Sequence, residues 1–589
     1  MSYCFEDSRR LTGPNLYFAA CGAVLDTAGM MPTPAQIEHW RDRAQQARAW
    51  LGWSQDAAIV ARPHRHGAML AIAAPVDQLF TATEVNEWAW QRACGRSEMH
   101  APAHPALDDE ASARATLSRS SIAERRPELM ALMAAAAAHR LPLLWDDEVL
   151  SIGVGATGAR WPMTSLPEVA AVPWRSLARV PVALVSGSNG KTTTVRLIAA
   201  MARAQGWFCG HSCTDGLFFN GVGEQGGDYS GPAGARSVLR DARVQAAVLE
   251  TARGGILRRG LAIDEADVAV VTNVSADHFG EYGIDTLADL ADVKLTLARA
   301  LRPGARIVVN ADDAVLRERA LRLTVPMAWF ALDADHARGF ATADAPSCGL
   351  RGRRVVLTLA GIEHDLGDID AMPLTLGGAA RYNIHNLLGA ALAAALLGID
   401  IVHIRAVMAS FGREHVDNPG RLQHFRMDTL DVLLDYAHNP EGLAGLLELA
   451  RSRFPQRRLG LVLGQAGNRG DDDIRALADA AADAQPAFIV LKDIDGMLRG
   501  RASGEVPSLL RAWLLARGYA AERLYVHLPE FEAAQAALDL ALPGDVLVLP
   551  IHARPAREAV QAWLLQRSAE LSLPVVPQSP CPPDRCSPA

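Results

Sequence analysis

The stretch from Val182 to Ala200, VALVSGSNGKTTTVRLIAA, joins an apolar β-branched run, a glycine-containing turn and a Lys-Thr pair that opens an amphipathic helix. Residues of these types in this order build a phosphate cradle. Gly187 and Gly190 let the backbone N–H groups around Ser188 and Asn189 approach phosphate oxygens, and the start of the helix adds the positive end of its dipole. Lys191 brings a charge for the β- and γ-phosphates, and Thr192, followed by Thr193, brings a hydroxyl where such loops hold Mg²⁺. The expected ligand is therefore the phosphate chain of a nucleotide, held with Mg²⁺. Val185 stands where the usual pattern has its first glycine, so the loop is a shorter variant. The alternative is a glycine turn with an incidental surface lysine.

Positioning such a loop takes a strand before it and a helix after it, and the sequence repeats that alternation. The runs VALVSGS, AAVLETA, VAVVTNV and ARIVVNADD alternate with helical segments, which implies a parallel sheet with helices on both faces and ligands at the strand ends. A hairpin, RRVVLTLAGIEHDLG, and an Ala/Leu-rich helix, NIHNLLGAALAAALLGI, follow. From Pro419 the strands DVLLDYA, LGLVLGQAG, AFIVLKD and GDVLVLPIH suggest a second, smaller Rossmann-like α/β domain. Residues 1–175 read as an α+β domain, with helical periodicity in IEHWRDRAQQARAWLGW and PELMALMAAAAAHRLPLL and strand character around AMLAIAAPVDQLF. Residues 101–125 read as a polar surface connection, and WPMTSLPEVAAVPWRSLARVP as an interdomain linker. The expected division is 1–175, 176–418 and 419–567, with a Pro-rich, disordered tail over 568–589.

Composition narrows the function classes. At ~150 residues per domain, 589 residues allow several domains, and a half-hydrophobic chain with 21% charged residues is neither disordered nor fibrous. Lys plus Arg is 58 against 66 Asp plus Glu, a net charge of −8, which excludes an overall positive field for nucleic acid. The eight cysteines are scattered without zinc-site or secreted-framework spacing, and neither a signal pattern nor a membrane-spanning apolar run is present, so a cytoplasmic location is expected. His64 and His66, in PHRHG, lack partners at metal-ligand spacing and read as surface residues.

The string SGSNGKTT resembles the ATP loop of the Mur ligases, a family of ATP-dependent amide-bond-forming enzymes. LETARGGILRRGL, VTNVSADHFGEYGI, VVNADD, RYNIHNLLGA, NPGRL and DYAHNP follow in the family's order over roughly residues 180–560. Within the family, ETARGGILRRGL and LKDIDGMLRGRASGEV are most similar to the C-terminal half of the cyanophycin synthetases, which attaches arginine to aspartate side-chain carboxylates. RRLTGPNLYF and VLSIGVGATGARW resemble the start of those enzymes. Their ATP-grasp domain should follow, yet only about twenty-five residues separate Trp161 from Ser186. One of the two ligase centres is thus expected to be missing.

The resemblance implies residue roles. Glu250 matches the glutamate that binds a second Mg²⁺, the alternative being a strand-end carboxylate that caps a turn. His278, beside Asp277, matches a metal-binding or acyl-phosphate-orienting histidine. Lys294 falls where many Mur ligases carry a carbamylated lysine; a solvated lysine on a helix face is the alternative. Asn386 matches the adenine contact, or else caps the Ala/Leu helix. Arg421 and Asp435 match groups that reach the phosphates and ribose from the third domain, so that domain closure assembles the site. For the incoming amine, Asp471, Asp472 and Asp473 suit a guanidinium or ammonium group, or are helix N-terminal charges. Arg499 and Arg501 resemble a family motif that could hold a substrate carboxylate, or form an exposed basic turn.

The expected activity is thus ligation of an amino acid, arginine first, to a peptide carboxylate through an acyl phosphate. A partner ATP-grasp ligase or full-length synthetase would supply the peptide backbone. Oligomer formation is left open, and neither nucleic acid nor membrane is expected. The alternatives are a Mur ligase acting on another peptide or cell-wall precursor, and a non-catalytic nucleotide-binding partner of a full-length synthetase.

Overall fold

The computed structural model describes residues 5–27, 29–95, 109–276, 279–342, 345–427 and 429–572. It divides into two units, 1–417 and 418–589. The larger unit is organised by an eleven-stranded sheet. Its centre is a parallel run in the spatial order Cys209–Cys213, Ala246–Glu250, Val182–Ser186, Ala266–Val271, Leu301–Asn310, Met327–Phe330 and Ser347–Arg351. Antiparallel strands close both edges, including the expected hairpin of Arg354–Leu359 with Ile362–Asp368. Both faces of the sheet are covered, which is why its strands read as continuous apolar runs rather than alternating ones. Helices Lys191–Ala204, Arg381–Leu396 and Ile401–Met408 bury Val195, Leu388 and Ile404 on one face. Helices Pro232–Arg240, Arg253–Arg259 and Leu287–Leu295 bury Val238, Ile256 and Leu290 on the other.

The same unit begins with a four-stranded antiparallel sheet in the order Asp7–Leu11, Gly22–Asp26, Gly67–Ala73, Ile59–His64. Helices Pro34–Leu51 and Leu79–Ala93 pack Trp40, Ala44, Val85 and Trp88 against it. The smaller unit has a six-stranded sheet, in which Gln423–Met427 runs antiparallel to Leu430–Asp435 and the remaining strands are parallel. Among the described residues no helix is long and apolar enough to cross a membrane.

Three segments depart from the sequence reading. Of the expected connection 101–125, the residues after 109 form the helix Glu110–Glu124, started by a capping box between Asp109 and Ser112. That helix buries Ala113, Leu117 and Ser121 along one stripe. Glu124 also caps a neighbour, accepting from the Phe80 and Thr81 N–H groups at 2.8 Å. Small polar residues made this helix look like a loop. The proline-spaced stretch expected to be a linker is packed: Met163, Val172 and Leu177 join a core with Leu132 and Ile152. The tail expected from 568 begins inside the last helix, Arg554–Ser572, and residues beyond 572 lie outside the described residues.

Candidate active site

The phosphate loop runs from the end of strand Val182–Ser186 to the start of helix Lys191–Ala204. Its two glycines are required by close approach. A Cβ on Gly187 (φ +151°) would lie 1.8 Å from Thr272 Oγ1, and one on Gly190 (φ +83°) 2.1 Å from Asn386 Oδ1. The loop is held by short neutral side chains from the segment after strand Ala266–Val271. Thr272 Oγ1 donates to Asn189 O at 2.6 Å, and Asn273 Oδ1 accepts from Asn189 N at 2.8 Å. Ser188 Oγ accepts from Ser275 N at 2.9 Å, and Asn189 Nδ2 donates to Ser275 Oγ at 3.1 Å. Lys191 Nζ donates to the loop carbonyl of Ser188 at 3.0 Å.

Beneath the loop lies the acidic residue of the site. Glu250 ends strand Ala246–Glu250 and is 1% exposed. Thr192 Oγ1 donates to Glu250 Oε2 at 2.8 Å, and Thr214 Oγ1 donates to Oε1 at 2.8 Å. Two hydroxyls thus orient one buried carboxylate beside the phosphate cradle. Hard oxygen donors of this kind suit Mg²⁺, which takes few protein ligands and completes its shell with water and phosphate oxygens. Among the described residues no group of three or more His, Cys, Asp or Glu is placed to hold a metal.

The strings that lay apart in sequence converge here. Asn310 Nδ2 donates to Thr272 O at 3.0 Å, and Asp313 Oδ2 accepts from Val274 N at 2.6 Å, so VVNADD braces the segment that holds the phosphate loop. Asp312 Oδ2 lies 2.8 Å from His385 Nε2, tying the same string to helix Arg381–Leu396. Asn386 sits inside that helix, whose N-cap is Ala380, so the capping alternative for Asn386 does not hold. Its amide donates to Asn383 Oδ1 at 3.0 Å, and its Oδ1 faces Gly190. Lys294 lies on helix Leu287–Leu295 and is 3% exposed, which removes the solvated-lysine alternative. Asp277 and His278 lie outside the described residues.

In the second unit the candidates cluster at the strand ends. Asp435 closes strand Leu430–Asp435 and accepts from Leu422 N at 2.7 Å and Ala437 N at 2.8 Å. Burial pushes its carboxyl up, against the pull of Arg421 and these N–H donors. The Arg421 guanidinium lies 4.0 Å from the centroid of the Tyr436 ring, and Tyr436 and His438 rings are 5.4 Å apart. Asp471, Asp472 and Asp473 form the first turn of helix Asp471–Asp483. Arg501 donates to Asp471 at 2.7 Å, to Glu505 at 3.0 Å and to the carbonyls of Gly467 and Arg469 at 3.0 Å. Arg499, exposed, reaches Asn468 Oδ1 at 3.3 Å. A deeper network went unseen in the sequence: Lys492, fully buried, is 2.7 Å from Glu530 Oε1 and 3.2 Å from His552 Nδ1. Burial, together with Lys492, pushes the His552 imidazole down to about 4, so it is neutral, and its other nitrogen lies 3.0 Å from Ala437 O. Thr214, Thr272, Asn273 and Ser275 were also missed; their only signal was a short polar cluster directly after a buried strand.

A glycine-containing loop between strand and helix on a central parallel sheet, with a buried carboxylate under its threonine, has the build of a P-loop. Residues 185–394 match the family described as Mur ligase middle domain, and residues 420–550 that described as Mur ligase, glutamate ligase domain. A UDP-N-acetylmuramoyl-L-alanyl-D-glutamate–2,6-diaminopimelate ligase of Ectopseudomonas mendocina is 30% identical over 62% of this chain and 71% of its own length. The chain belongs to the Mur ligase family. Cyanophycin synthetase of a Synechocystis strain is 36% identical over 392 residues, 65% of this chain and 44% of that protein. The chain thus spans less than half the length of the cyanophycin synthetases it matches. Among solved structures, a Mycobacterium tuberculosis folylpolyglutamate synthase complexed with ADP shares 19% identity at a TM-score of 0.49, covering 65% of this chain and 90% of that one.

Proposed function

We propose that this protein is an ATP-dependent ligase that joins an amino acid, arginine first, to the side-chain carboxylate of an aspartyl peptide. The observation that carries the reading is the Thr192–Glu250–Thr214 contact beneath the Lys191 loop. It is an arrangement for a triphosphate with a hard cation, and the 36% identity to a cyanophycin synthetase supports the substrate class. The acceptor carboxylate attacks the γ-phosphorus and ADP leaves. The amine then attacks the acyl phosphate, releasing phosphate and a proton as the amide forms.

In this reaction Lys191 and the N–H groups that open its helix, from Gly190 on, bind phosphate oxygens and stabilise the charge that develops on them. The Ser188 and Asn189 N–H groups, by contrast, are taken by Asn273 O and Oδ1. Thr192 and Glu250 would hold Mg²⁺, which supplies Lewis-acid polarisation of the phosphoryl oxygens. Buried Lys294 takes the place of the modified lysine, with His278 orienting the acyl phosphate, and Asn386 the adenine contact. In the second unit Arg421 and Asp435 carry nucleotide-contact roles. Asp472, Asp473 and Arg499 are the candidates for reading the amine substrate, with Asp471 and Arg501 tying their loops together. The domain division 1–175, 176–418 and 419–567 is kept as the functional division. The peptide backbone comes from a partner ATP-grasp ligase or synthetase in the cytoplasm.

The test incubates the protein with ATP, Mg²⁺ and α-linked aspartyl peptides, whose β-carboxylates are free, against a panel of amino acids, reading products by mass spectrometry. The expected result is an acceptor that gains one arginine residue with stoichiometric ADP, abolished by Lys191→Ala. ATP binding with no acceptor gaining mass overturns the proposal and leaves a Mur ligase for another substrate or a non-catalytic nucleotide-binding partner.

A further inference from the structure

We infer that the N-terminal sheet is a brace for two active-site segments of its own unit, and that Arg62 is a positioning residue for the helix that carries Lys294. The functional half of this inference rests on the ligase reading, whereas the brace itself is visible in the hydrogen bonds.

The first contact is made by the Arg62 guanidinium, on strand Ile59–His64. Its Nη2 lies 2.5 Å from Asp289 Oδ1, and its Nη1 donates to Gly283 O at 3.2 Å. Asp289 starts helix Leu287–Leu295 through a capping box with Thr286. Its other oxygen accepts from Thr286 N at 3.0 Å and Thr286 Oγ1 at 2.7 Å. One carboxylate therefore serves both the helix start and the N-terminal sheet. The next residues of the hairpin extend the grip. Arg65 N donates to Asp285 Oδ2 at 2.8 Å, while His64, 3.1 Å from Asp26, lies against Gly283. His64 is therefore not the surface residue expected from sequence. Lys294 lies five residues beyond Asp289, within two turns of the same rigid helix.

The second contact is made by the RRLTGP segment. Thr12 N donates to Arg259 O and Leu261 N to Pro14 O, both at 2.7 Å, and Arg9 Nε donates to Leu257 O at 3.0 Å. These bonds hold helix Arg253–Arg259, which begins three residues after Glu250. Arg9 also lies over the Tyr282 ring, 4.7 Å from its centroid, and Arg258 Nε donates to the Tyr282 hydroxyl at 2.8 Å, joining the two braced segments. RRLTGP and ARGGILRRGL, two strings that resemble cyanophycin synthetases, are thus in contact. The planar Arg62 fork bridges a carboxylate and a carbonyl together, which a lysine ammonium on a flexible stem does less well.

The test compares the full chain with its Arg62→Ala, Arg62→Lys and Asp289→Asn variants by hydrogen exchange over residues 287–295 and by acceptor-dependent ADP release. For Arg62→Ala, exchange over that helix is expected to accelerate about tenfold, and kcat to fall about tenfold or more while KM for ATP stays within about twofold. Arg62→Lys is expected to recover part of both. Unchanged exchange, or faster exchange with an unchanged kcat, overturns the inference. Should Arg62→Ala fail to fold, Asp289→Asn decides on the same readouts, because its amide still accepts the capping N–H bond while losing the charge. If the wild-type chain releases no ADP with any acceptor, the ligase reading fails. Exchange over the helix then decides the brace by itself.

Discussion

The phosphate-loop region and the strand-end loops of the second unit treat charge in opposite ways. Around Gly187–Gly190 the holding is done by Thr272, Asn273, Ser188 and Ser275, all neutral, while Lys191 meets a loop carbonyl. At the strand ends of the second unit the charges hold each other: Arg501 with Asp471 and Glu505, and Lys492 with Glu530. A charged residue at a strand end is thus no sign of a ligand group until its compensation is known. Where neighbours already neutralise it, its removal costs stability; where they do not, its removal costs binding or turnover.

This contrast can be broken experimentally, beginning at the loop. Lys191→Ala is expected to lower acceptor-dependent ADP release about a thousandfold, with the thermal midpoint of the protein nearly unchanged. Equal loss of stability would erase the distinction between the regions. Lys492→Met should do the reverse, costing the second unit about 3–5 kcal/mol, because it leaves the Glu530 carboxylate buried with its cation gone. Urea denaturation reads this, and Lys492→Met combined with Glu530→Gln should recover part of the loss.

Thr214→Val sharpens the picture within the first region. Its hydroxyl orients Glu250 without being one of the phosphate-loop groups, so turnover should fall about tenfold and half-saturating Mg²⁺ should rise. Thr214→Ser should restore both. A pH series examines the second region. Since burial holds His552 near 4 in the folded protein against an ordinary 6.5, the unfolded chain binds more protons between those values. Stability from this group is complete above about 6.5 and is lost as pH falls toward about 4. Buried Asp435, its carboxyl raised, acts in the opposite sense over the carboxylate range. The urea midpoint of the second unit should therefore fall between pH 7 and pH 5, and His552→Asn should flatten that slope. The smallest effect is expected at Asp471, 63% exposed on its side chain. Asp471→Asn should shift stability by no more than about 1 kcal/mol, and the KM for the amine by less than about twofold. A large rise in that KM would make Asp471 a substrate contact after all.

The loop at Gly187–Gly190 was legible in sequence because its pattern is local. Strand, glycine turn, Lys-Thr and helix occupy one contiguous stretch, and backbone geometry does the work. Glu250 and Asn386 were found through resemblance, and the fold shows what each touches. Thr214 was not legible, since a threonine after a strand is common and only the pairing of Cys209–Cys213 beside Ala246–Glu250 brings it to the carboxylate. The helix Glu110–Glu124 was hidden for a related reason: its stability comes from a capping box and three buried small or medium side chains rather than a strong apolar stripe.

By itself, the sequence determined the alternation of buried strands and helices, the strand–turn–helix loop at Gly187–Gly190 and the family. Those properties are written in hydrophobic period and in neighbours along the chain. Only the tertiary structure decided which charges are spoken for. The partners of Arg501, Lys492 and Arg62 lie 4 to 227 residues away, and ion pairing depends on distance in space, which the order of residues does not carry.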